Sequence, residues 1–202
     1  MVLRIQFIWE DELGVKFKFG LMLLQGLFSC VAEAQDFTPV PMRSEYAGET
    51  TRDHNRVYYY SESTIESHRV RIQSGILIDQ SNARVTSYLN QSSIYVITSD
   101  REIFLSRYSR HGQVHHSSLS AGAPTLAAGQ MIVVDGVILA IDLQSGHYRH
   151  PASYYEFLAK FLSDRGVDVS KVLMGEQAVS ANLHLLPGGC PSFLIPGHSP
   201  LL

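Results

Sequence analysis

Two short histidine-containing motifs hold the side chains of this sequence that are best suited to chemistry. The first runs from Val114 to Gly122 and reads VHHSSLSAG, and the second runs from Ser145 to Arg149 and reads SGHYR. Imidazole titrates near neutral pH, and guanidinium binds carboxylates and phosphates through a planar fork. This combination of residue types can bind an anion, transfer protons or hold a metal ion.

We predict that the two motifs form one pocket around two histidines. His116 and His147 are the candidate catalytic acid and base. The candidate substrate-binding residues beside them are Ser117, Ser118, Tyr148 and Arg149. Glycines near both motifs let the backbone approach a ligand closely. For an anionic ligand, Arg149 is the expected clamp.

A structural interpretation stands beside this functional one. On a strand, His115 and His116 point to opposite faces, so that only one of them enters a given pocket. Ser117 and Ser118 can satisfy backbone groups at a buried strand end. The second motif can simply end a hairpin through ordinary hydrogen bonds. The sequence leaves both interpretations open.

A zinc site, a hydrolase and a ribonuclease are alternatives for these residue types, and an observation stands against each. A zinc site from His111, His115 and His147 has no HExxH motif and no carboxylate at a diagnostic spacing. A Ser-His-Asp hydrolase lacks the G-x-S-x-G nucleophile elbow. A ribonuclease using His116, His147 and Arg149 conflicts with the acidic net charge of −3. The sequence predicts neither a bound metal nor a cofactor.

The elements that must position these motifs are mostly strands. A short helix over residues 61–66, with Ser63 and Glu66 at capping-box spacing, is predicted to come first. Three hairpins follow, over residues 70–78, 94–105 and 131–141. The last is the clearest, because Asp135-Gly136 between apolar runs is typical of a type I′ turn. Both arms of that hairpin are almost continuously apolar, which indicates burial on two faces.

One helix is well supported, over about residues 152–165. Its apolar residues recur at i, i+3, i+4, i+7 and i+8 from Tyr154 onward. Ser153 and Glu156 have capping-box spacing, and Gly166 suits the position after the helix. We therefore predict a single α+β domain, with a mainly antiparallel, twisted sheet against which this helix packs or closes one end.

The composition bounds the class of protein. A chain of 202 residues with 45% hydrophobic and 17% charged residues is typical of one globular domain. Its net charge of −3 gives no bulk positive field for nonspecific nucleic-acid binding. Its two cysteines, Cys30 and Cys190, exclude a disulfide scaffold and a cysteine-rich zinc site.

Residues 1–34 are interpreted as a targeting segment. Lys16 and Lys18 precede an apolar run over residues 19–31, and residues 32–34 read Ala-Glu-Ala, the small-x-small pattern of a signal-peptidase site. The run is too short to span a bilayer, which needs about 20 residues. The sequence therefore predicts a secreted protein with no integral membrane span.

Three alternative interpretations of this segment stay open. Acidic residues at 10–12 are unusual in a signal peptide, and translation from Val15 is one explanation. A buried N-terminal helix is a second interpretation, and a lipoprotein signal ending at Cys30 is a third. The rest of the chain divides into an irregular lead-in, a folded domain and a C-terminal tail, over residues 35–56, 57–176 and 177–202.

The stretch from about Val57 to Val172 resembles a known domain. The block HHSSLSAG-x-x-x-x-AAG, then DG, then SGHY, then an amphipathic helix occurs in this order in the IQM family, plant calmodulin-binding proteins with one IQ motif. The stretch also resembles secreted bacterial effectors and toxin-like chains, which carry a strand similar to residues 68–70. This second resemblance implies an exported effector or toxin-like domain with a virulence role. The plant resemblance implies instead a non-catalytic protein- or ligand-binding module.

The sequence departs from the family pattern at three positions, and one of them is a proline, Pro151, that lies one residue further from the SGHY motif than usual. Ile5-Gln6 is followed by Asp11 where an IQ motif needs a basic residue, so calmodulin is not an expected partner. Many members of the family have Glu where this chain has Gln130. An ADP-ribosyltransferase using Arg69 and Ser117 would therefore lack its acidic residue. Whether the domain is an enzyme stays open, and its partner is a host or target-cell protein or a small ligand of unknown identity.

Overall fold

The computed structural model describes residues 6–10, 16–20, 36–47, 57–88, 90–109 and 114–186. The chain divides into two compact units, Met1–Asp36 and Phe37–Leu202.

The first unit contains one antiparallel pair of strands. In it, β1 (Gln6–Glu10) pairs with β2 (Lys16–Gly20), and Trp9 lies opposite Phe17. The predicted cleavage pattern, Cys30 and most of the apolar run lie outside the described residues. Export through this segment therefore stays a prediction.

The second unit is built on one seven-stranded sheet with the order β4-β3-β6-β5-β7-β8-β9. Its strands are β3 (Arg69–Gln73), β4 (Ile76–Asp79), β5 (Ser93–Thr98), β6 (Ile103–Ser106), β7 (Thr125–Val134), β8 (Val137–Ile141) and β9 (Leu173–Met174). All neighbours are antiparallel except β8 and β9, which are parallel. The predicted α+β domain with a mainly antiparallel sheet is confirmed.

The three predicted hairpins are confirmed, and two of them turn on two consecutive residues with positive φ. Asp135 and Gly136 have φ values of 49° and 79°, as a type I′ turn requires. Ser74 and Gly75 repeat this geometry at 50° and 78°. A Cβ atom on Gly136 would also overlap the side chain of Ile76, so both the backbone and the space require glycine there.

In the described part of the chain, three α-helices accompany the sheet, and both predicted capping boxes are wrong. The helices are α1 (Glu62–Ser67), α2 (His116–Ser120) and α3 (Tyr154–Ser163). The N-cap of α1 is Ser61, whose Oγ accepts a hydrogen bond from the Thr64 amide at 3.3 Å. At α3, Ser153 already has helical backbone angles of −57° and −19°, so its side chain does not cap. Gly166 adopts the predicted left-handed conformation beyond the helix, with φ of 84°.

The sheet is buried on two faces. Along β5, Tyr95 and Ile97 pack into the apolar cluster beneath α3, whereas Ile94 and Val96 pack into the cluster beneath α2. Strand side chains alternate between faces, so a continuous apolar strand fits only a sheet that is covered on both sides. The two helices therefore lie on opposite faces of the sheet.

The predicted lead-in and tail both contribute to the packed unit. In the lead-in, Val40 forms an isolated bridge with Thr125, and a short 3-10 helix follows at Ser44–Tyr46. In the tail, Val179 and Leu186 are buried. Residues 48–56 and 187–202 lie outside the described part. Among the described residues, no helix has the length and apolar character needed to cross a membrane.

Candidate functional site

The first motif forms helix α2, not the strand on which His115 and His116 would point to opposite faces. His115 is the extended N-cap residue, with φ of −129° and ψ of 172°, and His116 begins the helix. The Oγ of Ser118 accepts a hydrogen bond from the His115 amide at 3.1 Å. Ala121 ends the helix in the left-handed conformation, with φ of 48°. The strand argument that separated the two histidines therefore does not apply.

The second motif lies in the loop between β8 and α3, and a buried carboxylate fixes where that loop begins. Asp142 is 1% exposed and accepts hydrogen bonds from the amides of Gln130 and Gln144, at 2.8 Å and 2.9 Å. The Ser145 Oγ then accepts from the Tyr148 amide at 3.2 Å. Burial raises the pKa of Asp142 to about 6. Asp142 thus ties β7 to the loop that carries His147.

A cavity of about 850 Å³ brings the two motifs together. Its wall consists of Arg43, Tyr46, His115, His116, Gln130 and residues 143–150. The structure thus places His116, His147, Tyr148 and Arg149 at one site.

His147 is held on both faces of its ring. The ring stacks on Tyr46 with centroids 4.3 Å apart and on His115 with centroids 4.6 Å apart. Its Nδ1 lies 2.7 Å from the Ser117 Oγ, and its backbone oxygen accepts a hydrogen bond from the Arg43 amide at 3.0 Å. Only 4% of the residue is exposed. These contacts fix the ring in one orientation.

The contact with Ser117 also decides which ring nitrogen of His147 carries hydrogen. Ser117 is fully buried, and among the described residues its Oγ contacts no acceptor besides His147 Nδ1, so its proton is hydrogen-bonded only if Ser117 donates it there. The acceptor in contact is His147 Nδ1, so Nε2 carries the hydrogen. Burial, and then the nearby charges of His115 and Arg43, lower the pKa of His147 to about 4. At neutral pH, His147 is therefore an uncharged ring whose remaining polar group is the Nε2–H donor.

His116 is uncharged as well, and its tautomer is fixed by the backbone. Its ring Nε2 lies 2.9 Å from the Gly129 oxygen, which can only accept, so Nε2 donates. Burial lowers the pKa of His116 to about 4. Gly129 is required at this point, because a Cβ atom there would overlap the backbone of Asp142. The ring thus anchors α2 to β7.

Two other predicted site residues are engaged by the fold. Ser118 caps α2 and is fully buried. The Tyr148 hydroxyl donates to the Ala123 oxygen at 2.8 Å and lies 2.6 Å from the Ser120 Oγ. Burial raises the pKa of Tyr148 to about 12. Of the predicted ligand contacts, Arg149 is the one that is exposed.

Sequence reasoning missed Arg43 and Tyr46, which the lead-in brings to the cavity. Arg43 reaches the loop through its amide and through a hydrogen bond from its guanidinium to the Gly146 oxygen at 3.1 Å. The guanidinium also pairs with Glu45 and lies over the Tyr46 ring, 5.2 Å from the ring centroid. About a hundred residues separate these two from the second motif. No local pattern in the sequence signals such a contact.

The described residues arrange neither an exposed serine nucleophile nor a set of metal ligands at this site. Ser117 lies beside a histidine as a nucleophile would, but it has no exposed surface from which to attack a substrate. In the described part of the chain, no cluster of three or more histidine, cysteine or acidic residues is arranged to hold a metal ion. His111, part of the zinc alternative, lies outside that part.

Comparison with known proteins relates most of this site to one family. Residues 65–154 match the family model for the IQ motif-containing protein middle domain. That stretch covers both motifs but excludes Arg43 and Tyr46.

The similar curated proteins come from Arabidopsis thaliana. The chain is 30% identical to the IQ domain-containing protein IQM4 over 108 residues, which is 53% of this chain and 20% of IQM4. It is 27% identical to IQM1 over 117 residues, covering 57% of this chain and 24% of IQM1. It is 35% identical to IQM3 over 79 residues, which is 39% of this chain and 17% of IQM3. The chain thus spans about a quarter or less of these relatives. No solved structure matches it.

These comparisons bear on the predicted family resemblance and on the predicted virulence role. They support the IQM-like domain, whereas the relation to bacterial proteins is not shown. The prediction of an effector or toxin-like role in virulence is wrong, because the similar proteins are plant IQ domain-containing proteins, whereas export stays a prediction. The expectation that this chain does not bind calmodulin stays a prediction.

Proposed function

We propose that this domain is a non-catalytic ligand-binding module whose site is the cavity around His147. One observation carries the proposal: His147 is clamped between Tyr46 and His115 while Ser117 holds its Nδ1. Such a clamp presents one oriented hydrogen-bond donor, Nε2–H, to whatever occupies the cavity. A fixed donor in a preformed cavity is what specific ligand binding requires.

The state of the histidines supports binding over acid–base catalysis. A general acid or base works best when its pKa lies near the operating pH. The pKa values of His116 and His147 are lowered by burial to about 4, so both rings are neutral at pH 7. The Nε2–H of His116 also already donates a hydrogen bond to the Gly129 oxygen. Neither ring is poised to exchange protons with a substrate.

The size of the cavity supports a small molecule as the ligand. Sites for small organic ligands enclose roughly 300 to 1,000 Å³, and this cavity encloses about 850 Å³. Its wall combines the Tyr46 and histidine rings with Leu143, alongside a few polar groups. A module of this kind recognises a ligand without changing it.

The proposal is tested by a fragment screen on the full chain, followed by ¹H–¹⁵N NMR with charged and neutral fragments. We expect fragments that bind to shift the resonances of the cavity wall, including the ring nitrogens of His147. The variant His147→Gln should bind these fragments about ten-fold or more weakly, as measured by Kd. The reason is that it lacks the oriented Nε2–H donor that hydrogen-bonds the fragment inside the cavity.

The matched control is His184→Gln, which changes a histidine of the C-terminal 3-10 segment outside the cavity wall. It should bind fragments as the unchanged chain does. Melting curves check that both variants fold. Binding that persists in a folded His147→Gln variant, or a screen in which no fragment shifts the cavity resonances, would contradict the proposal.

A further inference from the structure

The cavity has an unusual charge pattern for a protein with net charge −3. Among the described residues of its wall, the side chains with a permanent charge are Arg43 and Arg149, and no carboxylate belongs to the wall. Both histidines at its centre are uncharged at neutral pH. The wall itself therefore carries only positive permanent charge, although Glu45, outside the wall, pairs with Arg43 and offsets part of that charge.

Arg43 is the better placed of the two arginines. Its amide and guanidinium both bond the loop at His147 and Gly146, so it is fixed relative to the His147 ring. Its charge acts on that ring directly, since it contributes to the lowered pKa of His147. Arg149 is exposed at the same cavity. The sequence predicted Arg149 alone as the clamp for an anionic ligand. The structure offers two arginines for this role, of which Arg43 is the one held in place by the loop.

The polar groups near these arginines are also donors. His147 presents Nε2–H, because its Nδ1 accepts from Ser117. Gln130 accepts a hydrogen bond from the Ser92 Oγ at 2.6 Å through its side-chain oxygen, which leaves its NH₂ group to donate. Donors of hydrogen bonds and positive charges together match a group that has several acceptor oxygens and a negative charge.

We infer that the ligand of this cavity is an organic molecule bearing an oxyanion, a phosphate or a carboxylate, held by His147 and Arg43 with Arg149 at the exposed edge. The inference rests on the proposed function and names its ligand class. An oxyanion alone would leave most of the cavity empty, since its volume of about 850 Å³ is close to the upper end for small-molecule sites. The organic body then lies against Tyr46 and Leu143.

The test uses matched probes that differ in charge. Isothermal titration compares benzoate with benzamide, and phenyl phosphate with phenol, on the full chain. Inorganic phosphate and acetate test the oxyanion without its organic body. We expect the anion of each pair to bind about ten-fold or more tightly than its neutral partner. Raising NaCl from about 50 to about 500 mM should weaken the anions several-fold and leave the neutral probes unchanged.

Variants and a spectroscopic readout locate the anion. Arg43→Gln and Arg149→Gln should each reduce the ratio of anion affinity to neutral-probe affinity several-fold. Arg43→Lys, which keeps the positive charge, should retain part of that ratio. The control Arg71→Gln, an exposed arginine on β3 outside the cavity wall, should change nothing. A bound anion beside His147 favours its protonated form, so phenyl phosphate should raise the NMR-measured pKa of His147 and phenol should not.

The outcomes separate this inference from the proposed function. Equal binding of charged and neutral probes at the cavity would overturn the oxyanion inference and leave the binding module standing. If inorganic phosphate binds as tightly as phenyl phosphate, the inference that the ligand has an organic body is overturned. Absence of any cavity binding would overturn both proposals. The tighter of benzoate and phenyl phosphate identifies the class of oxyanion.

Discussion

The two faces of the sheet are buried by different means. Beneath α3 the packing is apolar, with Phe157, Leu158, Phe161 and Leu162 set against the strands. Beneath α2 a small apolar cluster adjoins a network of buried histidine, serine and tyrosine side chains. Apolar burial is non-directional, whereas each buried polar group requires its own partner. The α3 face can thus supply stability, and the α2 face can position a ligand.

The largest expected effect lies on the α3 face. Phe161 is 2% exposed, so Phe161→Ala removes buried apolar surface and leaves a cavity. We expect it to lower the free energy of unfolding by about 3 to 5 kcal/mol, measured by urea denaturation. The control Lys160→Ala changes a neighbouring side chain that is 72% exposed and should have little effect. A loss of less than about 1 kcal/mol in Phe161→Ala would show that this face is not the main source of stability.

The next effect is a pH dependence that belongs to the α2 face. The pKa values of His116 and His147 fall from 6.5 to about 4 on folding, chiefly through burial. The unfolded chain therefore binds more protons between these values, and stability is lost as pH falls through that window. Each histidine contributes about 1.4 kcal/mol per pH unit there.

Asp142 acts in the opposite direction. Burial raises its pKa from 3.8 to about 6. The stabilisation that protonated Asp142 gives the folded state is therefore lost as pH rises through 6 and is regained on acidification. The two histidines outweigh this single carboxyl, so the folded state should weaken between pH 6.5 and about 4. Urea midpoints measured across that range test the sign. His147→Gln should flatten the profile and Asp142→Asn should steepen it; a flat profile in the unchanged chain would show that the rings are not buried as neutral groups.

The smallest effect concerns one hydroxyl group. Tyr148→Phe keeps the ring but removes the partner of the Ser120 Oγ and the Ala123 oxygen. Leaving these groups without that partner should cost about 1 to 3 kcal/mol in thermal or urea unfolding. Tyr58→Phe, at a position that is 57% exposed, is the matched control and should cost almost nothing. Equal stabilities of the two variants would mean that the polar network adds no stability.

What the sequence predicts well is what neighbouring residues determine. Asp135-Gly136 specifies its turn through backbone preferences, and the spacing from Tyr154 onward specifies α3 through its buried face. Helix α2 escapes prediction because five residues are too few to show a helical period, and a serine three residues after the N-cap stabilises its start. The site was predicted only in part, because Arg43 and Tyr46 reach it across about a hundred residues of chain.

The stacking of Tyr46 on His147 changes where this domain should be considered to begin. The stretch shared with the IQM middle domain starts at residue 65, but one wall of the site comes from residues 43 and 46. A fragment that starts at residue 65 and keeps the rest of the chain would retain all seven strands of the sheet, including β9, and would lose both Arg43 and the Tyr46 side of the His147 clamp. Such a fragment could fold and still bind nothing. Boundaries drawn from similarity alone therefore cut through the proposed binding site.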